Sequence, residues 1–548
     1  MSKKGKMFWN VICIKALEKL KVASIPIGGC VVLVMSLVLF SPKTLSTRLT
    51  ILYTNDFHGR YIPIEVAPGS ATSQTGDPGG RAISFDRTGK IGGFAYLSTL
   101  VQERQAHGPL LLVHGGDTFS DDLLGNLTRG EVVIQLMNAL GYDFMALGNH
   151  DFDYGLERTQ QLQALADFPM RAANILVEAT GQPVLGAPVK VMEIADLKVG
   201  LLALGYHNTP LTTSRELIRG LSFTSGIEAA RPYVQVLRQR ADLVIVVSHQ
   251  GMAVDQVLAR QVPGIDVIIG GHSHDWIAPP HQIGGTYLVQ ALSDGTLVGE
   301  LVLESEEGHE PQVEAHNYPL WNDKIAADPA LVDLIKKWRQ LHRPYLEAVI
   351  ATAIERIDRQ YKSQSPFDTL VGDILREETG AEIALLPGVG YGVSLTPGPI
   401  TREQLYTLLP HPVRMVRAKL IGRQILDILE QSAINLNPRH PLELVGGLIQ
   451  TSGMSWTVDL DRPRGQRIQN VRIGEASLEP MRSYSVVTHT GMLEGLHRYE
   501  AIGQGTEIHR YDRLVVDIVE AWMGRQGQVK APPGGQIRLI SKDRGSAK

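Results

Sequence analysis

A chain of 548 residues, 43% hydrophobic and 20% charged, has the composition of a folded globular protein and is too long for one ordinary core, so two or three domains are expected. Its formal net charge of -4 lacks the basic excess that would steer it to a polyanion, and no nucleic-acid partner is expected. The two cysteines, Cys13 and Cys30, both lie near the N-terminus, which excludes a disulfide or thiolate zinc site from the rest of the chain.

In chain order, Lys3, Lys4, Lys6, Lys15, Lys19 and Lys21 precede a charge-free run over 22–40. An apolar run of about 20 residues crosses a bilayer, and lysines before it keep that end in the cytoplasm. Segment 1–46 is therefore expected to anchor the chain in a cell membrane, with the remainder periplasmic or extracellular. A cleaved signal peptide is the alternative, but its apolar stretch should span about 7–15 residues and end at a small-residue site, which SPKTLST does not offer. From Leu49, short aliphatic runs end abruptly in Gly, Asp, Asn or His: LTILYTND, PLLLVHGGD, DFMALGNHD, VGLLALGY, ADLVIVVSHQG and IDVIIGGHSHD. Runs bounded in this way predict strands buried on both faces, alternating with helices at 128–140 and 155–166. The alternation implies a layered α/β domain over 47–325, with ligands gathered at the carboxyl ends of its strands. Residues 61–92, containing APGSATSQTGDPGGR, predict a long surface loop. An amphipathic helix within 326–346, capped by Asp328, connects to a second domain over 347–540, followed by a tail at 541–548.

Five segments at these predicted strand ends combine into one site. They are Asp56-Phe57-His58, Gly115-Gly116-Asp117, Gly148-Asn149-His150-Asp151, Ser248-His249 and Gly270-Gly271-His272-Ser273-His274. Carboxylate, carboxamide and imidazole donors without thiolate suit manganese, iron or zinc. Two cations about 3.5–4 Å apart can clamp a phosphoryl group and generate hydroxide at neutral pH. Such a pair needs a shared ligand, which a carboxylate provides. The alternation in Asp56-x-His58 and His272-x-His274 reads as extended backbone presenting both side chains to one pocket. Each residue alone is more often a hydrogen-bonded histidine or a turn carboxylate. The joint placement at strand ends carries the metal reading. Asp121, Asp122, Asp143, His114, His207 and His281 keep the structural reading.

These segments, in this order, resemble the calcineurin-like metallophosphoesterase superfamily, and within it the bacterial 5'-nucleotidase and UDP-sugar hydrolase branch. The resemblance is close over about 49–303 and looser beyond. It implies a layered α/β-sandwich followed by a smaller α+β 5'-nucleotidase-type domain, hydrolysing phosphate esters or anhydrides of small molecules, nucleotides foremost. It implies a first metal on Asp56, His58, Asp117 and His274, and a second on Asp117, Asn149, His249 and His272, with Asp117 as the bridge. Manganese is the expected metal, with zinc or iron as alternatives. The nucleophile is then a metal-bound hydroxide, and His150, oriented by Asp153, stabilises the transition state and assists the leaving group.

The second domain departs from that branch. PGVGYGV places Gly392 where the resemblance expects an arginine, His411 follows YTLLP where an aromatic residue is expected, and GLHRY ends in Tyr499 without the expected motif. Lys362, Arg414 and Arg417 are candidate replacements for the missing cations, and Tyr391, His411 and Tyr499 are candidates for stacking on a base. Their plain readings are solvated charges and packed rings. The phrases EETGAEIALLPG, PGPIT, NLNPRHP and VGGL resemble the thiosulfohydrolases of bacterial sulfur oxidation. That resemblance implies an alternative substrate, a sulfane-sulfonate on a sulfur-carrier protein. Members of that branch replace the Asn-His pair that is kept here as Asn149-His150, so phosphoryl chemistry is the expectation. A non-catalytic metal-binding surface protein is a third reading, and the His150–Asp153 pair argues against it.

Overall fold

The computed structural model describes residues 47–68, 85–194, 196–305, 312–389 and 394–541. The expected membrane anchor, Tyr391, Gly392 and the tail from 542 onward lie outside the described residues. Among the described residues no helix is long and apolar enough to cross a membrane.

All six aliphatic runs form strands: Thr47–Thr54, Leu110–His114, Phe144–Ala146, Leu197–Leu204, Leu243–Ser248 and Val267–Ile269. The first three pair in parallel, and so do the last three. Each trio is the centre of a six-stranded sheet. These strands are aliphatic on both sides because both sides are buried. Leu49, Ile51 and Tyr53 enter a core shared with Val199, Leu201, Ile245 and Val267 of the other sheet, whereas Leu52 enters a separate core beneath helices. Fully burying one such aliphatic side chain stabilises by about 1.5–3 kcal/mol, so a polar residue at any of these positions would be costly. Helices Phe94–Gln105 and Glu131–Leu140 cover the outer face of the first sheet, and Gly226–Leu237 and Met252–Gln261 cover that of the second. The result is the layered α/β sandwich expected from the strand-helix alternation.

Two local expectations are revised. The helix expected over 128–140 is broken into Leu123–Thr128 and Glu131–Leu140 by Arg129 and Gly130, whose φ values are 50° and 84°. Asp122 caps the first piece, accepting from the Gly125 amide at 2.9 Å. Gly130 has φ 84°, a backbone conformation that favours glycine, and a Cβ there would also crowd Leu162 Cδ1 at 2.9 Å. The 61–92 segment is not all loop, because Ile64–Val66 and Gly89–Ile91 pair as antiparallel strands near its ends. The helix behind Asp328 forms as Pro329–Gln340, with Asp328 accepting from the Ala330 amide at 2.9 Å.

Beyond that helix the chain forms a second body around a five-stranded sheet. Its order is Gln450–Ser452, Ile383–Leu386, Ser483–His489, Arg414–Ile421 and Thr506–Leu514. Only the Ile383–Leu386 and Ser483–His489 pair is parallel. Side-chain alternation again builds two cores. Ala384 and Leu386 pack with helices Pro366–Thr379 and Val515–Gln526, and Ile383 and Leu385 pack with Gly422–Leu436. Antiparallel pairing with helices on both faces makes this part α+β. It is stitched to the first sandwich by Arg60 Nη2 donating to Thr407 O at 3.0 Å, Asn126 Nδ2 donating to Pro410 O at 3.0 Å and Tyr206 Oη donating to Leu444 O at 2.9 Å.

Candidate metal centre

The five polar segments leave the carboxyl ends of strands from both sheets and converge between them. Asp56 follows Thr47–Thr54, Asp117 follows Leu110–His114, Asn149 follows Phe144–Ala146, His249 follows Leu243–Ser248, and His272 follows Val267–Ile269. Donor atoms of Asp56, His58 and His274 lie within 4.8 Å of one another, as do those of Asp117, His249 and His272, and those of His58, Asp117 and His150. Asp117 belongs to two of these groups, which is what a shared ligand requires.

The way the side chains converge differs from the sequence expectation. Asp56, His58, His272 and His274 are not extended; their φ values are 52°, 47°, 73° and 51°. Asp117 and Asp121, at 54° and 79°, are left-handed too. A non-glycine residue in that region costs of order 1–3 kcal/mol, and six together mark a site whose surroundings over-determine the backbone. Once the strand has ended, left-handed turns fold the chain back over the sheet edge and return both members of each pair to the same pocket.

The donor set fits cations. His58 Nδ1 lies 2.7 Å from Asp121 Oδ2, and His249 Nδ1 lies 2.7 Å from Gly115 O. With Nδ1–H given to an oxygen, each ring keeps its Nε2 lone pair for the pocket. His58 Nε2 then stands 3.1 Å from His274 Nε2, and His249 Nε2 stands 3.0 Å from Asp117 Oδ2. His274 Nε2 is 3.2 Å from Asp56 Oδ1. Asn149 Oδ1 and His249 Nε2 are buried and, among the described residues, have no partner in hydrogen-bonding geometry. Buried donors and acceptors of this kind are costly unless something else satisfies them, and a divalent cation does so for both.

Electrostatics agree. Burial raises the Asp56 and Asp117 carboxyls, but His274 and His249 for Asp56, and His249 and His150 for Asp117, more than reverse this and hold both well below the usual range. Burial likewise lowers His249, yet the Asp117 and Asp56 carboxylates lift it to about 9. Burial lowers His58 too, but its bond to Asp121 and the Asp121 and Asp117 charges together raise it. His249 therefore carries a proton at neutral pH when no metal is bound, and a cation must displace it. The sign follows: proton release on loading makes affinity rise with pH. Manganese binding followed by calorimetry should weaken from about pH 8 to about pH 6, with net proton uptake by the buffer. Affinity independent of pH would contradict this assignment.

His150 occupies the rim of the same pocket. Its Nδ1 is 2.8 Å from Asp153 Oδ2, and Ser120 Oγ donates to that same oxygen at 3.1 Å. Burial disfavours the imidazolium, but Asp121, Asp153 and Asp117 hold the His150 pKa well above its ordinary value. A cavity of about 470 Å3 opens here between the two bodies, walled on one side by His150, His272 and His274 and on the other by His411, His489 and His497.

The other candidates are distributed unevenly. His411 reaches in from the second body and stacks on His150, ring centres 5.2 Å apart. Arg414 also lines the cavity. Arg417 does not, and its guanidinium donates to Thr379 O at 3.2 Å at the end of the helix Pro366–Thr379. Lys362 is not among the lining residues. Tyr499 is buried at 1% exposure in the second body's core, so its ring packs there and offers no face to a base. Of the residues read as structural, His114 is a buried partner of Thr54 at 2.9 Å, Asp143 accepts from the Leu112 amide, and His207 lies 2.8 Å from Leu442 O. His281 sits on the strand Trp276–Ile283, away from the cavity.

Asp121 departs from its structural reading. It orients His58 through one oxygen and lies 3.7 Å from His150 through the same atom. Asp151, named within the Gly148–Asp151 segment but given no role of its own, accepts the amides of Asp117, Thr118 and Gly148 at 3.1, 2.8 and 2.7 Å. It thereby ties the Asp117 loop to the Asn149 loop. Tyr206 packs on His272 with ring centres 3.8 Å apart. The run Asp121-Asp122 carried no distinguishing signal, though a metal-ligating histidine implies a carboxylate or carbonyl behind it. Replacing Asp121 by Asn should lower metal affinity by about 10–100-fold, the usual cost of an outer-shell partner. Competition with a fluorescent chelator measures it, and unchanged affinity would remove Asp121 from this role.

Residues 49–276 match the calcineurin-like phosphoesterase family, and residues 349–504 match the 5'-nucleotidase C-terminal domain. The chain is 26% identical to the 5'-nucleotidase of Bos taurus, covering 91% of this chain and 92% of that one. It is also 26% identical to an apyrase of Tabanus yao, covering 90% and 94%. A 5'-nucleotidase precursor from Thermus thermophilus shares the fold with a TM-score of 0.80 at 25% identity, covering 90% of this chain and all of that one. The sulfate thiohydrolase SoxB of Thermus thermophilus, with a TM-score of 0.81 at 24% identity over 90% of this chain and 97% of its own, has the same fold. The chain thus carries a calcineurin-like phosphoesterase domain joined to a 5'-nucleotidase-type C-terminal domain, and is a metal-dependent phosphoric ester hydrolase.

Proposed function

We propose that the protein removes phosphate from nucleotides, with Asp56, His58, Asp117 and His274 holding one divalent cation and Asp117, Asn149, His249 and His272 holding a second. Manganese is the metal proposed. The observation that carries the reading is the His150–Asp153 pair, 2.8 Å apart, at the rim of the shared-carboxylate groups. Bound cations there supply Lewis-acid activation of the phosphoryl group and a nucleophile at neutral pH.

The chain's own residues supply the rest. Asp153 accepts the hydrogen bond from Nδ1–H and fixes the ring, and with Asp121, Asp153 and Asp117 favouring its protonated form His150 donates toward the leaving oxygen as charge builds there. Asp121 and Gly115 O fix the tautomers of His58 and His249. The His411 wall closes the cavity on the opposite side and limits water. The proposal extends to the layout of the chain: a segment over 1–46 held in a membrane by its 22–40 run, the catalytic part over 47–325 outside it, a connecting helix over 326–346 and the substrate-covering part over 347–540. Lysines before the run support that orientation.

The test is phosphate release by the metal-loaded protein from AMP, ATP, UDP-glucose and an aryl phosphate. Nucleotides should exceed the aryl phosphate in kcat/KM by at least about tenfold, the discrimination a few polar and packing contacts provide. Equal or better turnover of the aryl phosphate would contradict the nucleotide assignment. Turnover confined to a sulfane-sulfonate on a carrier protein would contradict the reaction class.

A further inference from the structure

The two metal groups leave part of the polar cluster unused. Asp121, His150, Asp153 and His411 present four donor atoms that all lie within 4.8 Å of one another. Three of these residues belong to the first sandwich and one to the second body. His411 Nε2 is 3.3 Å from Asp121 Oδ1, 3.4 Å from His150 Nδ1 and 3.5 Å from Asp153 Oδ2. A tetrahedral zinc ion with ligands at about 2.0–2.1 Å separates its ligand atoms by about 3.3–3.4 Å. His411 already stands at that spacing from the other three, and the 2.8 Å contact between His150 and Asp153 must open.

A second observation points the same way. Asp121 is buried, at 1% exposure, and its Oδ1 has no partner in hydrogen-bonding geometry among the described residues. The other oxygen is committed to His58 Nδ1 at 2.7 Å. His411 Nε2 stands 3.3 Å from this anionic oxygen without hydrogen-bonding geometry, which leaves it incompletely satisfied, and a cation would satisfy it. The loop carrying His411 is fixed rather than draped, because Asn126 Nδ2 holds Pro410 O at 3.0 Å.

We propose that Asp121, His150, Asp153 and His411 form a third cation site, with a two-imidazole, two-carboxylate donor set that accepts zinc, that spans the two bodies and switches the enzyme off. A cation there takes the Nδ1 lone pair of His150 in place of the proton bonded to Asp153, so the ring loses both its orienting bond and the protonated form that the reaction uses. It also ties the second body to the first through His411. Site existence rests on geometry alone, while the inhibitory consequence rests on the role given to His150 above.

The experiment is zinc content per chain after equilibrium dialysis, for the wild type, His411→Ala and His411→Cys. His411 is one-third exposed in its side chain, so replacing it leaves the cores intact. Three zinc ions are expected in the wild type, two in His411→Ala, and three again in His411→Cys, whose thiolate restores a ligand. The third ion should bind His411→Ala at least about tenfold more weakly. Two ions in the wild type, three in His411→Ala or two in His411→Cys would each overturn the site. A parallel assay compares each variant at excess zinc with its own rate at two equivalents. Inhibition in the wild type and His411→Cys but not in His411→Ala is expected. Three ions without inhibition would overturn the switch, whatever the substrate proves to be.

Discussion

Replacing His150 by alanine should lower kcat by about 10²–10⁴-fold, the usual contribution of a positioned general acid, while KM and metal content stay near wild type. His150 belongs to one donor group with His58 and Asp117, but its Nδ1 is committed to Asp153. Its removal therefore takes away a proton donor and leaves the two four-residue ligand sets intact. The loss should appear in kcat, because the charge that His150 meets develops only as the leaving oxygen separates. It should be smallest for substrates whose leaving group is already a weak base, such as an aryl phosphate. Steady-state kinetics on AMP and an aryl phosphate, with metal content measured alongside, separate this outcome from a folding defect. Equal loss on both substrates together with loss of metal would assign His150 to metal binding.

Replacing Asp117 by alanine should abolish turnover by a different route. Oδ2 of Asp117 faces His249 Nε2 at 3.0 Å, and Oδ1 accepts the His150 backbone amide at 2.8 Å, which holds the Asn149 loop against it. Losing it removes the only carboxylate common to both sets and frees the loop that carries Asn149 and His150. Metal affinity should fall by more than the ~10–100-fold expected for an outer-shell partner, and elemental analysis should find less than two cations per chain. The same substitution uncovers His249, whose raised pKa depends on that carboxylate. Full retention of two cations would contradict the bridging role.

The fold was readable because the sheet strands are buried on both faces. Such strands must be aliphatic throughout, and they must stop where polar backbone or ligands begin, so LLLVH followed by Gly-Gly-Asp marks both a strand and its end. The polar clusters at those ends were readable for the same reason. Contacts that exist only between distant segments were not. Asp121 looks like any turn carboxylate until His58 is placed 2.7 Å away. The left-handed φ values at Asp56, His58, His272 and His274 break the rule that alternate residues share a side, and no local signal announces them, since non-glycine residues adopt that region only where the surroundings compel it. The second-body candidates failed for a similar reason. Whether Arg417 meets a ligand or Thr379 O, and whether Tyr499 stacks or packs, depends on which face of a strand or helix turns inward. His411 was noted only as a substitute for an aromatic residue. Its approach to His150 depends on the docking of one body against the other.

The most direct test of the account is a metal titration of the stripped protein, with phosphate release from AMP measured at each step. The account predicts no release without metal, activity that rises as manganese fills two sites per chain, and reversal by chelation. Phosphate release that survives complete removal of metal, or activity complete at one cation per chain, would contradict it.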